Sequence, residues 1–347
     1  MRIVTYNVNG IRAADRRGFR DWLSASQADV LALQEVRCRL VDLPVGVFGD
    51  YHVVYNPGSL AGRNGVALLT RQAPAAVFGW ANDLLTCQPE GDFVSTSGPM
   101  NSEPTLIDVK ADNQSATTVV IEADNPWFDE GRLVGVELAE APLTIISVYV
   151  PKGGVPVEVA PPAGGGREGY TPEQNQARYD RKMAFLELLA KQLQHWQAQA
   201  QAKGRQLLIM GDYNIAHGPA DLKNWKTNLA SEGFLPAERA WLDAVVGPAA
   251  STPLLEGKKI LASTLAWQPI ERHFIDVVRT LRPDDEGPYS WWSWRGQAFN
   301  NDVGWRIDYH LATAGLAAAA KQAWVERADD FESRISDHAP VIVDYDL

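Results

Sequence analysis

The 347-residue chain is 46% hydrophobic and 22% charged, which excludes a disordered polypeptide and supplies ample apolar side chains for a core. No apolar run reaches the roughly 18 residues of a membrane span, and no signal-peptide core opens the chain; two cysteines, Cys38 and Cys87, make neither a disulfide framework nor a zinc site, so a cytoplasmic, reducing compartment is expected. A net charge of −11 argues against bulk electrostatic binding to nucleic acid, unless a local basic face or a divalent cation reverses the sign.

In chain order, short branched apolar runs predict buried strands at 2–8 (RIVTYNV), 29–35 (DVLALQE), 65–70 (GVALLT), 132–138 (RLVGVEL), 143–150 (LTIISVYV), 205–211 (RQLLIMG), 306–313 (RIDYHLAT) and 341–345 (VIVDY). A short helix is predicted over 18–27, where Phe19, Trp22 and Leu23 share a face. A long one is predicted from Pro172 to Lys203. Thr171 is its N-cap, Pro172 its first-turn proline and Gln174 its capping-box glutamine; Tyr179, Met183, Leu186, Leu189, Leu193 and Trp196 follow at helical spacing, and Gly204 ends it. Residues 72–118, 153–171 and 247–270, rich in small and turn-forming residues, are expected to be surface insertions in a single domain spanning 1–347.

The chemistry-bearing residues gather where strands run out. Asn7 and Asn9 close the first run, Glu35 the second and Tyr149 that at 143–150; Asp212 and Asn214 follow LLIMG, Asp308 interrupts the apolar RIDY run, and Asp337 with His338 precedes the last strand. Any one of these is ordinarily a turn residue or helix cap. Their recurrence at strand edges, where sheet proteins bind ligands, points to a site. Oxygen-rich ligands without cysteine favour a hard cation, Mg²⁺ or Mn²⁺.

The segments TYNVNGIRAA, ADVLALQEVRC, VYVPKGG, GDYNIAHGPADLKN, VGWRIDYHLAT and SDHAPVIVDYDL, in that order, resemble the signature blocks of the exonuclease III branch of the endonuclease/exonuclease/phosphatase superfamily. The resemblance implies an α/β fold, a four-layered α/β sandwich of two packed mixed β-sheets flanked by helices. It also implies a metal-dependent DNA repair nuclease: a 3′→5′ exodeoxyribonuclease on duplex DNA and an abasic-site endonuclease that also cleans 3′ ends. Carried over residue by residue, Glu35 with Asn7 and Asp337 would hold the metal, with a second site at Asp212, Asn214 and His338. Asp212 would activate the attacking water and Asn214 would fix it or the phosphate. His338, paired with Asp308, would donate to a phosphate oxygen, and Tyr149 would contact the same phosphate as phenol or partly ionised group. Asn9, Lys152, Asn224 and Asn228 fall among the substrate contacts, Lys152 standing where the family often has Asn or Gln.

Between Trp291 and Trp305 the sequence is dense in tryptophan, with twelve in the whole chain. Alternation would bury Trp292 and Trp294 on one face. The resemblance makes Trp291 and Trp305 an aromatic wall for the abasic sugar and places Arg295 where a residue enters the duplex. Arg12, Arg16, Arg17, Lys152, Lys223, Lys226, Arg295 and Arg306 border the blocks and offer a local positive face. The rival within the superfamily is a phosphodiesterase or phosphatase acting on a lipid or small phosphorylated metabolite, expected to lack the DLKN block and the tryptophan run. Duplex DNA is the expected partner, with no membrane and a monomeric chain.

Overall fold

The computed structural model describes residues 1–60, 62–81, 83–97, 107–109, 117–121, 125–159, 169–248, 267, 269–271 and 274–347. Among these residues two eight-stranded sheets form. The first runs in the order Ala320–Val325, Val341–Tyr345, Arg2–Asn7, Val30–Gln34, Val66–Thr70, His52–Asn56, Asp83–Cys87, Val94–Ser97. The second runs Ile275–Asp276, Asp308–Ala312, Gln206–Asp212, Leu143–Tyr149, Leu133–Glu137, Ala76–Gly79, Thr117–Ile121, Ile107–Val109. Both are mixed: Arg2–Asn7 pairs in parallel with Val30–Gln34, and Leu143–Tyr149 with Gln206–Asp212, among antiparallel neighbours. The expected two-sheet α/β architecture is the one present.

The sheets face each other across a core of Ile3, Ala32, Leu68, Val134, Ile145, Leu208 and Val343, all buried. Outside the second sheet lies the Pro172–Ala202 helix, which inserts Phe185, Leu186, Leu189, Leu193 and Trp196. It begins as its sequence dictates. Thr171 accepts from the Gln174 N–H while Gln174 accepts from the Thr171 N–H, a reciprocal cap of the kind that contributes about 1 kcal/mol. Phe19–Ser26 covers the first sheet through Phe19 and Leu23. None of the described helices is long and apolar enough to cross a membrane.

Two expectations need correction. Part of 72–118 is sheet rather than surface insertion: Ala76–Gly79 and Ile107–Val109 extend the second sheet, Asp83–Cys87 and Val94–Ser97 the first, and Trp80 between them is fully buried. These strands are short and interrupted by turn residues, so no apolar run announced them. The tryptophan segment is not a regular strand either. It is held by isolated bridges from Trp291 to Trp305 and to His338, so strict alternation fails. Trp292 is core, but Trp294 is half-buried, its ring against Phe331 and beneath Arg17 and Arg334. Most of 247–270 lies outside the described residues, as does much of 153–171.

Candidate active site

Strand direction brings the polar residues to one edge. Asn7 ends Arg2–Asn7, and Glu35 follows the end of its parallel neighbour with φ 52. In the facing sheet Tyr149 and Asp212 end parallel strands as register partners. Asp308 begins an antiparallel strand and stands opposite Asp212. Asp337 and His338 precede Val341–Tyr345, which runs antiparallel to Arg2–Asn7 and therefore starts where that strand ends. Parallel strand ends and antiparallel strand starts share an edge by topology alone. Close packing here demands glycine before Asp212: Gly211 has φ 145, and a Cβ on it would lie 1.9 Å from the Val148 carbonyl oxygen.

Three linked groups result. In the first, the Tyr149 hydroxyl donates to Glu35 Oε1 at 2.6 Å while Arg37 ion-pairs with Glu35 Oε2. Arg37 also donates to Asn9 Oδ1 at 2.6 Å, and Asn9 donates in turn to Asp337 Oδ1 at 2.8 Å and, through its backbone N–H, to Asn7 Oδ1 at 3.0 Å. Asn9 reaches both because its φ of 46 turns the chain just beyond the strand. In the second group, Asn7 Nδ2 donates across the sheets to Asp212 Oδ2 at 2.9 Å. Asn214, also left-handed at φ 51, donates its N–H to Asp212 Oδ1 at 2.8 Å and its Nδ2 to Asp212 Oδ2 at 3.2 Å. In the third, His338 Nδ1 meets Asp308 Oδ2 at 2.8 Å, and Ser290 donates to the same oxygen at 2.6 Å. His338 Nε2 faces Asp212 Oδ2 at 3.8 Å, so the second and third groups adjoin.

Burial sets the electrostatics. The Asp212 carboxyl is pushed up to about 7 by burial, with His338 pulling the other way and Asp308 and Glu35 adding to the rise. Burial alone would lower His338, but the Asp308 and Asp212 carboxylates reverse this and hold it at about 10. Burial and then the Glu35 carboxylate raise the Tyr149 phenol well above its ordinary value, and Arg132 stacks over its ring at 4.7 Å. Of phenol or ionised group, the phenol is therefore the form this site favours.

The donor chemistry fits a hard divalent cation. Glu35, Asp337 and Asn7 present side-chain oxygens joined through Arg37 and Asn9, with no sulfur among them. Asp212, Asp308 and His338 also place ligand-type atoms within 4.8 Å of one another. There Asn214 turns N–H groups rather than an oxygen to Asp212, and His338 commits Nδ1 to Asp308 while Nε2 faces Asp212. Asp308 Oδ1 is buried with no hydrogen-bond partner.

Around this edge stand the other expected residues. Trp291 donates through Nε1 to Asp337 Oδ2 at 3.1 Å and meets Trp305 edge to face, ring centres 6.2 Å apart. A bridge from Trp305 to Leu222 draws in the turn carrying Asn224 and Asn228, where Asn228 Nδ2 donates to the Asn224 carbonyl at 3.0 Å. Arg295 is exposed beyond the tryptophans. Lys152 Nζ stands 3.4 Å from Glu232. Arg306 does not belong to a positive face. It is 1% exposed, and its guanidinium is bound by Asp221 and Asp276, each at 2.7 Å. Arg37, Ser290 and Ser336 went unnoticed in the sequence; Ser336 donates to the Asn7 carbonyl at 2.8 Å. Adjacency alone could have flagged Arg37, two residues after Glu35, and Ser336, next to Asp337.

Comparison with known proteins agrees with this architecture. The chain is 27% identical over 345 residues to the exodeoxyribonuclease of Bacillus subtilis (strain 168), covering 98% of each chain. It is 24% identical to exodeoxyribonuclease III of Haemophilus influenzae, over 99% of this chain and 100% of that one. Among solved structures, a 3′-5′ exonuclease from Neisseria meningitidis superposes with TM-score 0.64 at 21% identity, covering 100% of both chains. An AP endonuclease from Archaeoglobus fulgidus does so with TM-score 0.62 at 23% identity, again covering 100% of both. The sequence pattern of the Endonuclease/Exonuclease/phosphatase family matches residues 4–338, and the chain belongs to that family.

Proposed function

We propose that this protein is a divalent-metal-dependent DNA repair nuclease, hydrolysing phosphodiesters at abasic sites and removing nucleotides and blocking groups from 3′ ends of duplex DNA in the cytoplasm. The observation that carries the reading is the continuity of the site: Glu35, Asn7, Asp212, His338 and Asp308 join across both sheets beside an edge-to-face pair of half-buried tryptophans. The names of the relatives in Bacillus subtilis and Haemophilus influenzae support DNA as substrate, as does that of a DNA-(apurinic or apyrimidinic site) endonuclease of Dictyostelium discoideum, 23% identical over 100% of this chain.

Glu35, Asp337 and Asn7 would hold Mg²⁺ or Mn²⁺, which when bound neutralises charge developing on a phosphate oxygen. Asp212, with a proton affinity near the working pH, takes the proton of a water attacking phosphorus in line with the leaving 3′ oxygen. Asn7 and Asn214 fix the orientation of that carboxylate. His338, kept cationic by Asp308, donates from Nε2 to a non-bridging oxygen as negative charge builds there. Tyr149 fixes Glu35 through its hydroxyl. Trp291 and Trp305 form the wall against a baseless sugar or a frayed 3′ nucleotide, with Asn224, Asn228, Lys152 and Arg295 toward the backbone. The test is one gel with two substrates in Mg²⁺, a 5′-labelled duplex bearing an abasic site and an undamaged recessed 3′ end. Incision at the first and laddering at the second are expected. Hydrolysis of small phosphorylated metabolites or lipids with neither DNA product would overturn the reading.

A further inference from the structure

Among the described residues several buried cations lie outside the three linked groups of the site, and one of them touches the turns that carry that site. Lys182, on the Pro172–Ala202 helix, is 0% exposed, and its three N–H groups each meet an oxygen: Glu238 Oε1 at 2.6 Å, the Asn214 carbonyl at 2.8 Å and the Lys152 carbonyl at 3.2 Å. Glu238 is equally buried, and its other oxygen accepts from the Leu235 N–H at 2.9 Å, at the start of the Pro236–Val246 helix. An ion pair this deep is weak evidence for stability, since two apolar side chains could join the helices as well. Apolar side chains could not serve the two carbonyls.

Those carbonyls matter because of where they lie. Lys152 and Asn214 belong to the turns leaving the parallel strands Leu143–Tyr149 and Gln206–Asp212, whose last residues are Tyr149 and Asp212. Asn214 is the left-handed residue whose N–H and side chain hold both Asp212 oxygens, and its Nδ2 reaches back to the Val150 carbonyl at 3.0 Å. The first turn is shaped around the lysine stem: Gly153 has φ 87, and a Cβ there would stand 2.7 Å from Lys182 Cδ.

We propose that Lys182 is a positioning residue of the nuclease site, its ammonium pinning the Lys152 and Asn214 backbones in the register that presents Asp212, with Glu238 as its buried counter-ion. This rests on the nuclease reading above for its kinetic consequence, but not for its structural one. A placement error near 1 Å in a catalytic group costs on the order of a hundredfold in rate.

The test is the neutral pair Lys182→Met with Glu238→Gln, which keeps the shape and an acceptor for the Leu235 N–H. On abasic duplex, kcat is expected to fall about 10- to 100-fold with KM within about threefold. Hydrogen exchange should quicken about tenfold in peptides covering 150–154 and 212–216, and not in the sheet core. Glu238→Gln alone keeps both carbonyl bonds; it should lower thermal stability while leaving kcat within about threefold and exchange at those turns unchanged. If the double variant does not fold, Lys182→Gln, too short to reach both carbonyls, must show the same kcat loss and local exchange. Unchanged kcat in an active enzyme, or exchange raised evenly through the molecule, would overturn the proposal. A wild-type chain inactive on both DNA substrates would instead sink the nuclease reading, and the exchange pattern would then decide the backbone tie by itself.

Discussion

Asp308→Asn separates charge from shape at the centre of the site. Asn keeps an acceptor for His338 Nδ1 and for the Ser290 hydroxyl, which hold Asp308 Oδ2 at 2.8 and 2.6 Å. What is lost is the negative charge that, with Asp212, overcomes burial to hold His338 at about 10. A hydrogen bond to a charged group contributes about 1.5–3 kcal/mol, and a tenfold change corresponds to about 1.4 kcal/mol. Replacing it by a neutral bond therefore lowers the proton affinity of His338 by about one to two pH units, from about 10 to about 8 or 9. His338 donates only when protonated, so activity is lost as pH rises through its pKa. Asp308 also raises Asp212, and Asp212 accepts only when ionised, so activity is gained as pH rises through that group near 7. Removing the Asp308 charge thus moves both limbs of the pH–rate profile down. Single-turnover cleavage of an abasic duplex from pH 5.5 to 10 measures this, with thermal melting to confirm the fold. The wild-type-to-variant ratio should rise from below unity at low pH, where the lower proton affinity of Asp212 favours the variant, to about 5- to 50-fold at about pH 10. A loss equal at every pH, or a basic limb that stays put, would refute His338 as a charged donor sustained by Asp308.

Four further outcomes follow from the same contacts. Asp212→Asn should cut kcat by about a thousandfold or more with duplex affinity retained in a gel-shift assay; near-normal turnover would remove Asp212 as base. Glu35→Ala should abolish cleavage at low Mg²⁺ and recover part of it as Mg²⁺ is raised, while activity that survives EDTA would contradict the metal assignment. Arg306→Met leaves the buried Asp276 carboxylate without its cation and Asp221 with Arg279 alone, and should cost about 3–5 kcal/mol in urea unfolding. Burial would raise Asp221, but Arg306 and then Arg279 hold it at about 2, below the ordinary 3.8. That contributes about 2 kcal/mol of stability, present above about pH 4 and lost as the pH falls through about 2, which acid titration of the unfolding free energy would detect.

Much of the site was legible because strand ends are legible. A buried run that breaks into Asp, Asn or Glu marks an edge, and the topology then brings Asn7, Glu35, Tyr149, Asp212, Asp308 and His338 to the same one. Pairing between distant segments was not. Asn7 donating to Asp212 and Arg306 lying between Asp221 and Asp276 are long-range contacts with no local periodicity, so Arg306 looked like one more surface cation. The strands Ala76–Gly79 and Asp83–Cys87 escaped for a different reason: four or five residues between turns carry too little apolar pattern to outweigh their flanks. Lys182 sits at a helical position where a solvated lysine would be ordinary, and only the close approach of Gly153 and Asn214 makes it internal.

The acidic balance of the chain bears on how it could engage a polyanion. Glu35, Asp212, Asp308 and Asp337 concentrate negative charge where a phosphate would sit, yet each already has a positive or donating neighbour: Arg37 and Tyr149 for Glu35, Asn7 and Asn214 for Asp212, His338 for Asp308, Asn9 and Trp291 for Asp337. A divalent cation added to this set, with Arg37 and His338, offsets the four carboxylates and leaves the centre of the site near neutral, while most of the net charge of −11 lies over the rest of the chain. Lys152 and Lys223 are likewise paired, to Glu232 and Glu286, so their charge becomes available to a phosphate only by exchanging one anion for another. Affinity built this way depends on local exchange of partners rather than on an overall field. It favours a substrate whose geometry fits the edge over DNA in general, which is the selectivity that a nuclease acting at lesions and 3′ ends requires.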